Sequence, residues 1–486
     1  MRAERSLEAL EITAVQALAV DADEARTRAT GAAPPEHPPR FPDVSSVGER
    51  ANATREVDPW RAALLAETHL TASRRRAWRA LLAEVDRCPV VLRTDDTSLA
   101  LDAVEAATLV EPNPARREAV QLASTAEAAA LRDEARAVID AVRTSLGALD
   151  PSLVTALGLA DGGHGDIVDA TEDLYRELDA WVCRGLLIDR ARLTWADRLR
   201  TLQGPATLAA IPSATWASLG ARTYERVGLD AALRGVVDDL RPAAPGARGV
   251  FARVTAPGER ALVAGRASLS AWGAADVMGS LSVATLSVTA RGPFAGVRRG
   301  CDRAVDGVAH ALGRRLLGER RFLQREAGVD AAPRERVMLE AAHGEILRVR
   351  FDAARSRFAA HVLAKGPEAA ARFHDELMRA WGAAPPPAWA PWTAAWMCEA
   401  GGFWGAPAAA RTLGARVEPL VVDAMRARYD EDWFRNPKAS QGLAEVFEAM
   451  RAVGVRAWCD ARGGAVDAAR TAARLAEVAR EARRGA

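Results

Sequence analysis

Seven histidines are the natural candidates for metal chemistry in this chain: His37, His69, His164, His310, His343, His361 and His374. A zinc peptidase needs two His one helical turn apart, a Glu beside the first as general base, and a third ligand elsewhere. No two of the seven stand four positions apart, so HExxH cannot be written anywhere in the sequence. Helix geometry dictates that spacing, which makes the negative a strong one. Asp306 and His310 are one turn apart on a helical pattern and could supply part of a metal site. The competing reading is an ordinary side-chain pair, or a core His beside a surface Asp. Glu340, His343 and Glu345 form a similar grouping on a long charged segment, where a solvated face is the expectation. The metal candidates are therefore Asp306, His310 and His343.

Other chemistries find less support. No G-x-S-x-G occurs, and "MGSLS" lacks the second Gly of a nucleophile elbow. "DGGHGDIVD" (161–169) is Gly-rich but has neither the Lys nor the Ser/Thr of a phosphate loop. The cysteines at 88, 183, 301, 398 and 459 are scattered without a CxxC, which argues against a disulfide framework or a zinc ribbon. Trp381, Trp389, Trp392, Trp396 and Trp404 gather around "AAPPPAWAPW". They either line a peptide groove or pack this loop on the core. Trp389, Trp392, Trp396 and Trp404 are the candidate cleft aromatics.

The elements that would position these groups read as mainly α. "DPWRAALLAETHL" offers Asp58 as a cap and Pro59 in the first turn. Leu174, Leu178, Trp181 and Val182 form one buried helical stripe. Val305, Val308, Ala309, Leu312 and Leu316 share a face of the helix that carries Asp306 and His310. "RERVMLEAAHGEILRVRFDAARSRFAAHVLAKG" can run about thirty residues as a single helix, given its unbroken periodicity. The one clear β signal is "GVFARVTAPGERALVAG". Its alternation on either side of "APGE" predicts a hairpin. Residues 272–290, "WGAADVMGSLSVATLSVTA", hold Asp276 as their only ionisable side chain and must be buried. "LSVATLSVT" alone would also fit a strand. The prolines of "GAAPPEHPPRFP" make 1–56 a weakly ordered arm. A helical lobe over 57–245, a second lobe with the hairpin over 246–456 and a C-terminal helix over 457–486 complete the expected organisation.

The charges balance to +1. Nucleic-acid binding is not expected from so even a field. No stretch is apolar enough to span a bilayer, and the N-terminus lacks the order of a secretory signal, so the expectation is a cytoplasmic protein with no membrane partner.

Four segments carry a resemblance. "DLYRELDAWVCRGLLIDRARLTWADRLRTLQGP", "GVFARVTAPGERALVAGRASLSAWG", "AVDGVAHALGRRLLGERRFLQREAGVD" and "YDEDWFRNPKASQGLAEVF" resemble bacterial oligoendopeptidase and thimet-oligopeptidase zinc peptidases across roughly 58–455. The resemblance implies a two-lobed, zincin-like helical fold with a deep cleft. It also implies that the helix after the hairpin occupies the place of HExxH. Val277 or Met278 then falls at the first His, Leu281 or Ser282 at the second, and Asp306 at the third ligand, a Glu in the family. With those positions lacking His and Glu, the expected cofactor is none, zinc included. The expected function is a non-catalytic pseudopeptidase that binds a peptide or protein partner through its cleft, or a subunit beside an active homologous peptidase. The alternatives are a hydrolase with a site rebuilt around Asp306 and His310, and a purely structural helical protein.

Overall fold

The computed structural model describes residues 2–32, 41–92, 97–157, 165–245, 247, 249–366, 369, 372–389, 392–393, 395, 408–463 and 466–484. Its organising element is the central helix Ala271–Val288, in which every residue from Gly273 to Ser287 is buried. Ser270 caps it by accepting the Gly273 amide at 2.9 Å. The strand alternative for this segment is therefore overruled. Residues so uniformly apolar and small suit a helix wrapped on all sides, whatever the local preference of Val and Thr.

A three-stranded sheet lies against this helix. β1 (Val90–Leu92) and β2 (Thr97–Leu99) form a separate small ladder; β3 (Val236–Arg241), β4 (Gly249–Ala256) and β5 (Arg260–Arg266) form the sheet, in the order β3-β5-β4. β4 and β5 are the expected antiparallel hairpin, turned at Gly258 with φ +76°. β3 adds in parallel to β5, a strand the sequence did not announce. Val250 and Ala252 of β4 and Ala261 and Val263 of β5 join the main core beside the central helix. Phe251, Leu262 and Ala264 point the other way.

That second face corrects the reading of residues 1–56. Within that segment, Arg2–Thr30 and Val47–Thr54 are helices rather than a weakly ordered arm. The N-terminal helix lays Ala22, Ala25 and Ala29 on Phe251, Leu262 and Ala264. Alanines at that spacing let a helix approach a sheet closely, a pattern that the neighbouring prolines masked. Those prolines, at 34, 35, 38 and 39, fall outside the described residues.

The remaining helices follow the expected pattern. Asp58 caps Pro59–Arg87 by accepting the Arg61 amide at 3.0 Å. Helix Ala304–Arg315 packs on the central helix so tightly that a Cβ on Gly313 would meet the Met278 carbonyl at 2.4 Å. The long helix Ala331–Lys365 runs unbroken for 35 residues. The C-terminal helix Ala468–Arg484 buries Leu475, Val478, Ala479 and Ala482.

Candidate functional site

The central helix is preceded by β5 and followed closely by helix Ala304–Arg315, so its neighbours in space are also its neighbours in sequence. Val277, Met278, Leu281 and Ser282 are all buried. Met278 and Leu281 pack toward Gly220 of helix Trp216–Val227, and Ser282 packs toward Gly313. Asp276 is the single charge of this helix. It accepts from Arg314 at 2.7 Å and from Arg348 at 2.6 Å. The Arg348 guanidinium lies 3.3 Å from the centroid of Trp272.

Asp306 is committed to a different ionic cluster. It accepts from Arg299 at 2.6 Å, and Arg299 also donates to both oxygens of Glu67, at 3.1 and 3.3 Å. Arg303 stands 3.7 Å from Glu67. All four side chains are buried. Burial alone would raise the Glu67 carboxyl, but Arg299 and Arg303 outweigh it and hold it at about 2. A cavity of only about 30 Å³ remains beside this cluster, between the N-terminal helix, helix Pro59–Arg87, β4 and the central helix.

His310 and His343 have separate surroundings. His310 faces Gly279 of the central helix, and its buried Nε2 has no partner among the described residues. Burial, with Arg314, Arg348 and Arg411 nearby, keeps it neutral by pushing its pKa well down. His343 lies on the long helix and its Nε2 is 3.4 Å from Asp179 of helix Glu172–Gly185. Asp179 also binds Arg198 and accepts from Arg190 at 3.1 Å. Burial favours neutral His343, although Asp179 opposes this. Asp306, His310 and His343 thus address Arg299, Gly279 and Asp179 respectively. Among the described residues no three His, Cys, Asp or Glu side chains gather in a way that could share a metal ion.

Glu340 and Glu345 depart from the solvated face that was expected of them. Glu340 is buried and accepts from the Ala206 amide at 2.9 Å and from the Thr207 amide and hydroxyl at 2.8 Å, closing the first turn of helix Pro205–Ala210. Glu345 accepts from Arg314 at 2.9 Å. The long helix is charged because it is threaded through buried ion pairs.

A cavity of about 150 Å³ opens at the N-terminal end of the central helix. Its walls come from helix Val104–Val110, the start of β4, Trp272 and Asp276, and Arg348, Phe351 and Arg355 of the long helix. Trp389 and Trp392 line it, so two of the four candidate aromatics meet there; Trp396 and Trp404 lie outside the described residues. Aromatic rings build one wall: Phe351 stacks on Trp381 at 4.3 Å and Trp381 on Trp195 at 5.1 Å. Trp195, Glu105 and Arg355 were not singled out in the sequence. No motif marks them, because they converge from three distant helices.

No family profile matches the sequence, and no curated protein is similar to it. Solved structures do match. A protein assigned as a peptidase from Chlamydophila abortus superposes with a TM-score of 0.55 at 10% identity, covering 92% of this chain and 80% of that one. A protein assigned as oligoendopeptidase F superposes with a TM-score of 0.60 at 10% identity, covering 91% of this chain and 82% of its own. The likeness extends over nearly the whole chain and concerns the fold. The mainly α, oligoendopeptidase-like architecture is thereby shown. No helix among the described residues is long and apolar enough to cross a membrane.

Proposed function

With a peptidase-like fold as the premise, we propose that this chain is a zincin-like protein without zinc hydrolysis, which binds a peptide or protein partner through the cavity between its helical layers. The observation that carries this reading is the state of Asp306. It is the one acidic side chain at a resemblance-derived ligand position, and it already accepts from a buried guanidinium, Arg299, that it shares with Glu67. Zinc in structural and catalytic sites takes about three protein ligands or more. Val277, Met278, Leu281 and Ser282 offer no strong zinc ligand. Recruiting Asp306 would leave Arg299 buried with Glu67 alone, a costly exchange.

A cytoplasmic location and a pairing with an active homologous peptidase belong to the same proposal. The accessible cavity with its aromatic wall favours binding over a purely structural role. The test is zinc content after metal loading, together with hydrolysis of a mixed peptide library with and without chelator. The expected outcome is substoichiometric metal and no chelator-sensitive cleavage. Stoichiometric zinc with chelator-sensitive cleavage overturns the proposal.

A further inference from the structure

Five charged side chains line the 150 Å³ cavity: Asp102, Glu105, Asp276, Arg348 and Arg355. Glu105 and Arg355 have no hydrogen-bond or ion-pair partner among the described residues. Glu105, on helix Val104–Val110, is accessible to solvent, although protein packs around it closely enough to raise its carboxyl pKa by burial. Both observations hold together if the side chain stands in the cavity itself, reached through the mouth and walled on its other sides. Arg355 of the long helix also lines the cavity, with its guanidinium 5.1 Å from the Phe351 centroid and its buried Nε without a partner among the described residues. Burial and the Arg411 guanidinium lower the pKa of Arg355, against the charges of Asp352 and, more weakly, Glu105; Glu105 and Arg355 make no hydrogen bond or ion pair to each other. Two further donors wait there. The indole N–H groups of Trp195 and Trp389 are buried without an acceptor among the described residues, and both side chains are at least nine-tenths buried. By contrast, the cavity's Asp276–Arg348 pair is joined at 2.6 Å.

An unanswered carboxylate, an unanswered guanidinium, free indole donors and a stacked aromatic wall define a ligand by complementarity. A neutral apolar molecule would desolvate both charges and satisfy neither, which is costly. A single ion would satisfy one. A molecule carrying both an ammonium and a carboxylate, with an apolar body, satisfies both. An apolar cavity of this size holds a benzene-sized body. We propose that this cavity is a binding site for a small apolar zwitterion, an α-amino acid or a dipeptide, with its ammonium on Glu105, its carboxylate on Arg355 and the indole N–H groups, and its side chain against Phe351, Trp381 and Trp195. The site specifies the ligand class of the same cavity that the partner-binding reading invokes. It stands on its own geometry whichever way the zinc assay falls.

The experiment is calorimetric titration of the full chain with leucine, phenylalanine, leucyl-leucine, N-acetylleucine, leucinamide and N-acetylleucinamide. Leucine, phenylalanine or leucyl-leucine is expected to bind, and capping either terminus to weaken binding at least tenfold. Leucine binding assigns the free amino acid as ligand. Binding of leucyl-leucine alone assigns the dipeptide. The charge assignment is read as ratios, which a modest folding defect would not imitate. In E105Q, N-acetylation no longer weakens binding while amidation still does; in R355Q the pattern reverses. Far-ultraviolet circular dichroism confirms the fold of each variant. Equal affinity for leucine and N-acetylleucinamide overturns the proposal, as does the absence of binding by every zwitterion at millimolar concentration. Zinc-dependent cleavage in the library assay would overturn the non-catalytic reading and leave this one standing.

Discussion

Two polar regions flank the central helix, and their chemistry is opposite. The Glu67–Arg299–Asp306 cluster is closed: every carboxylate meets a guanidinium and almost no free volume remains. The cavity at the other end holds Glu105 and Arg355 within reach of solvent and without hydrogen-bond or ion-pair partners among the described residues. Paired charge in a filled space contributes to structure, because unpairing it leaves an ion desolvated. Unpaired charge in an open space costs stability and is retained where a ligand completes it. In a fold whose structural neighbours are assigned as peptidases, Asp306, the acidic residue at the expected ligand position, lies in the region of the first kind. The proposed ligand site lies in the second.

The largest test of the contrast is Arg299→Met. It strands Glu67 and Asp306 in a buried site, and a loss of about 3–5 kcal/mol is expected for a broken buried pair. Urea unfolding at neutral pH measures it. An unchanged midpoint would mean that these carboxylates do not need the arginine, and Asp306 would then be available to a metal.

Acid should act on the same cluster. Glu67 is held at about 2 in the folded protein against 4.5 for the free side chain. Its folded pKa is depressed, so its contribution to stability is complete above pH 4.5 and is lost as the pH falls toward 2. The size is of order 3 kcal/mol, at about 1.36 kcal/mol for each pH unit that separates the two values. E67Q should be less stable than the wild type at pH 7, and the gap should close at low pH. A gap independent of pH would assign the cluster's contribution to packing.

A smaller effect is expected at the seam between the central helix and helix Ala304–Arg315. Gly313→Ala would gain up to about 1 kcal/mol of helix propensity. Its Cβ, however, would sit 2.4 Å from the Met278 carbonyl, a backbone atom that cannot swing aside. Overpacking of this kind costs about 1–3 kcal/mol, so a net loss near 1 kcal/mol is expected in thermal unfolding. Leucine affinity should not change, because the seam does not line the cavity. A coupled loss of affinity would show that the two ends of the central helix act together.

Local signals carried much of the fold to the eye. The hairpin was readable from alternation and "APGE", the start of Pro59–Arg87 from Asp58 and Pro59, and the long helix from its periodicity. The central helix was legible only through the resemblance, because Val and Thr at its end prefer strands in isolation. The N-terminal helix was missed because its partner is a sheet face more than 200 residues away in sequence, at Phe251, Leu262 and Ala264. Glu340 was read as solvated because a residue's burial depends on which helix ends beside it, here Pro205–Ala210. Glu105 and Arg355 left no trace, since nothing in "AVEAATLV" or "DAARSRF" distinguishes a cavity side chain from a surface one.

Glu105 supplies the smallest expected effect and the sharpest sign. Its folded pKa is raised by burial, opposed by Arg355. The folded state therefore prefers the protonated acid. Stability attributable to this group is complete below 4.5 and is lost as the pH rises through the folded pKa. An amide carries no such penalty, so E105Q should be at least as stable as the wild type at pH 8, where E67Q is clearly weaker. The same Glu→Gln change would then act in opposite directions at the two ends of one helix. Leucine should restore the balance, since an ammonium on Glu105 favours its ionised form. Its affinity for the wild type should rise with pH through the Glu105 titration and stay flat in E105Q, as calorimetry across a pH series would record. If E105Q instead loses stability at pH 8 and leucine binding has no pH dependence in either protein, Glu105 is a structural residue and the contrast between the two regions fails.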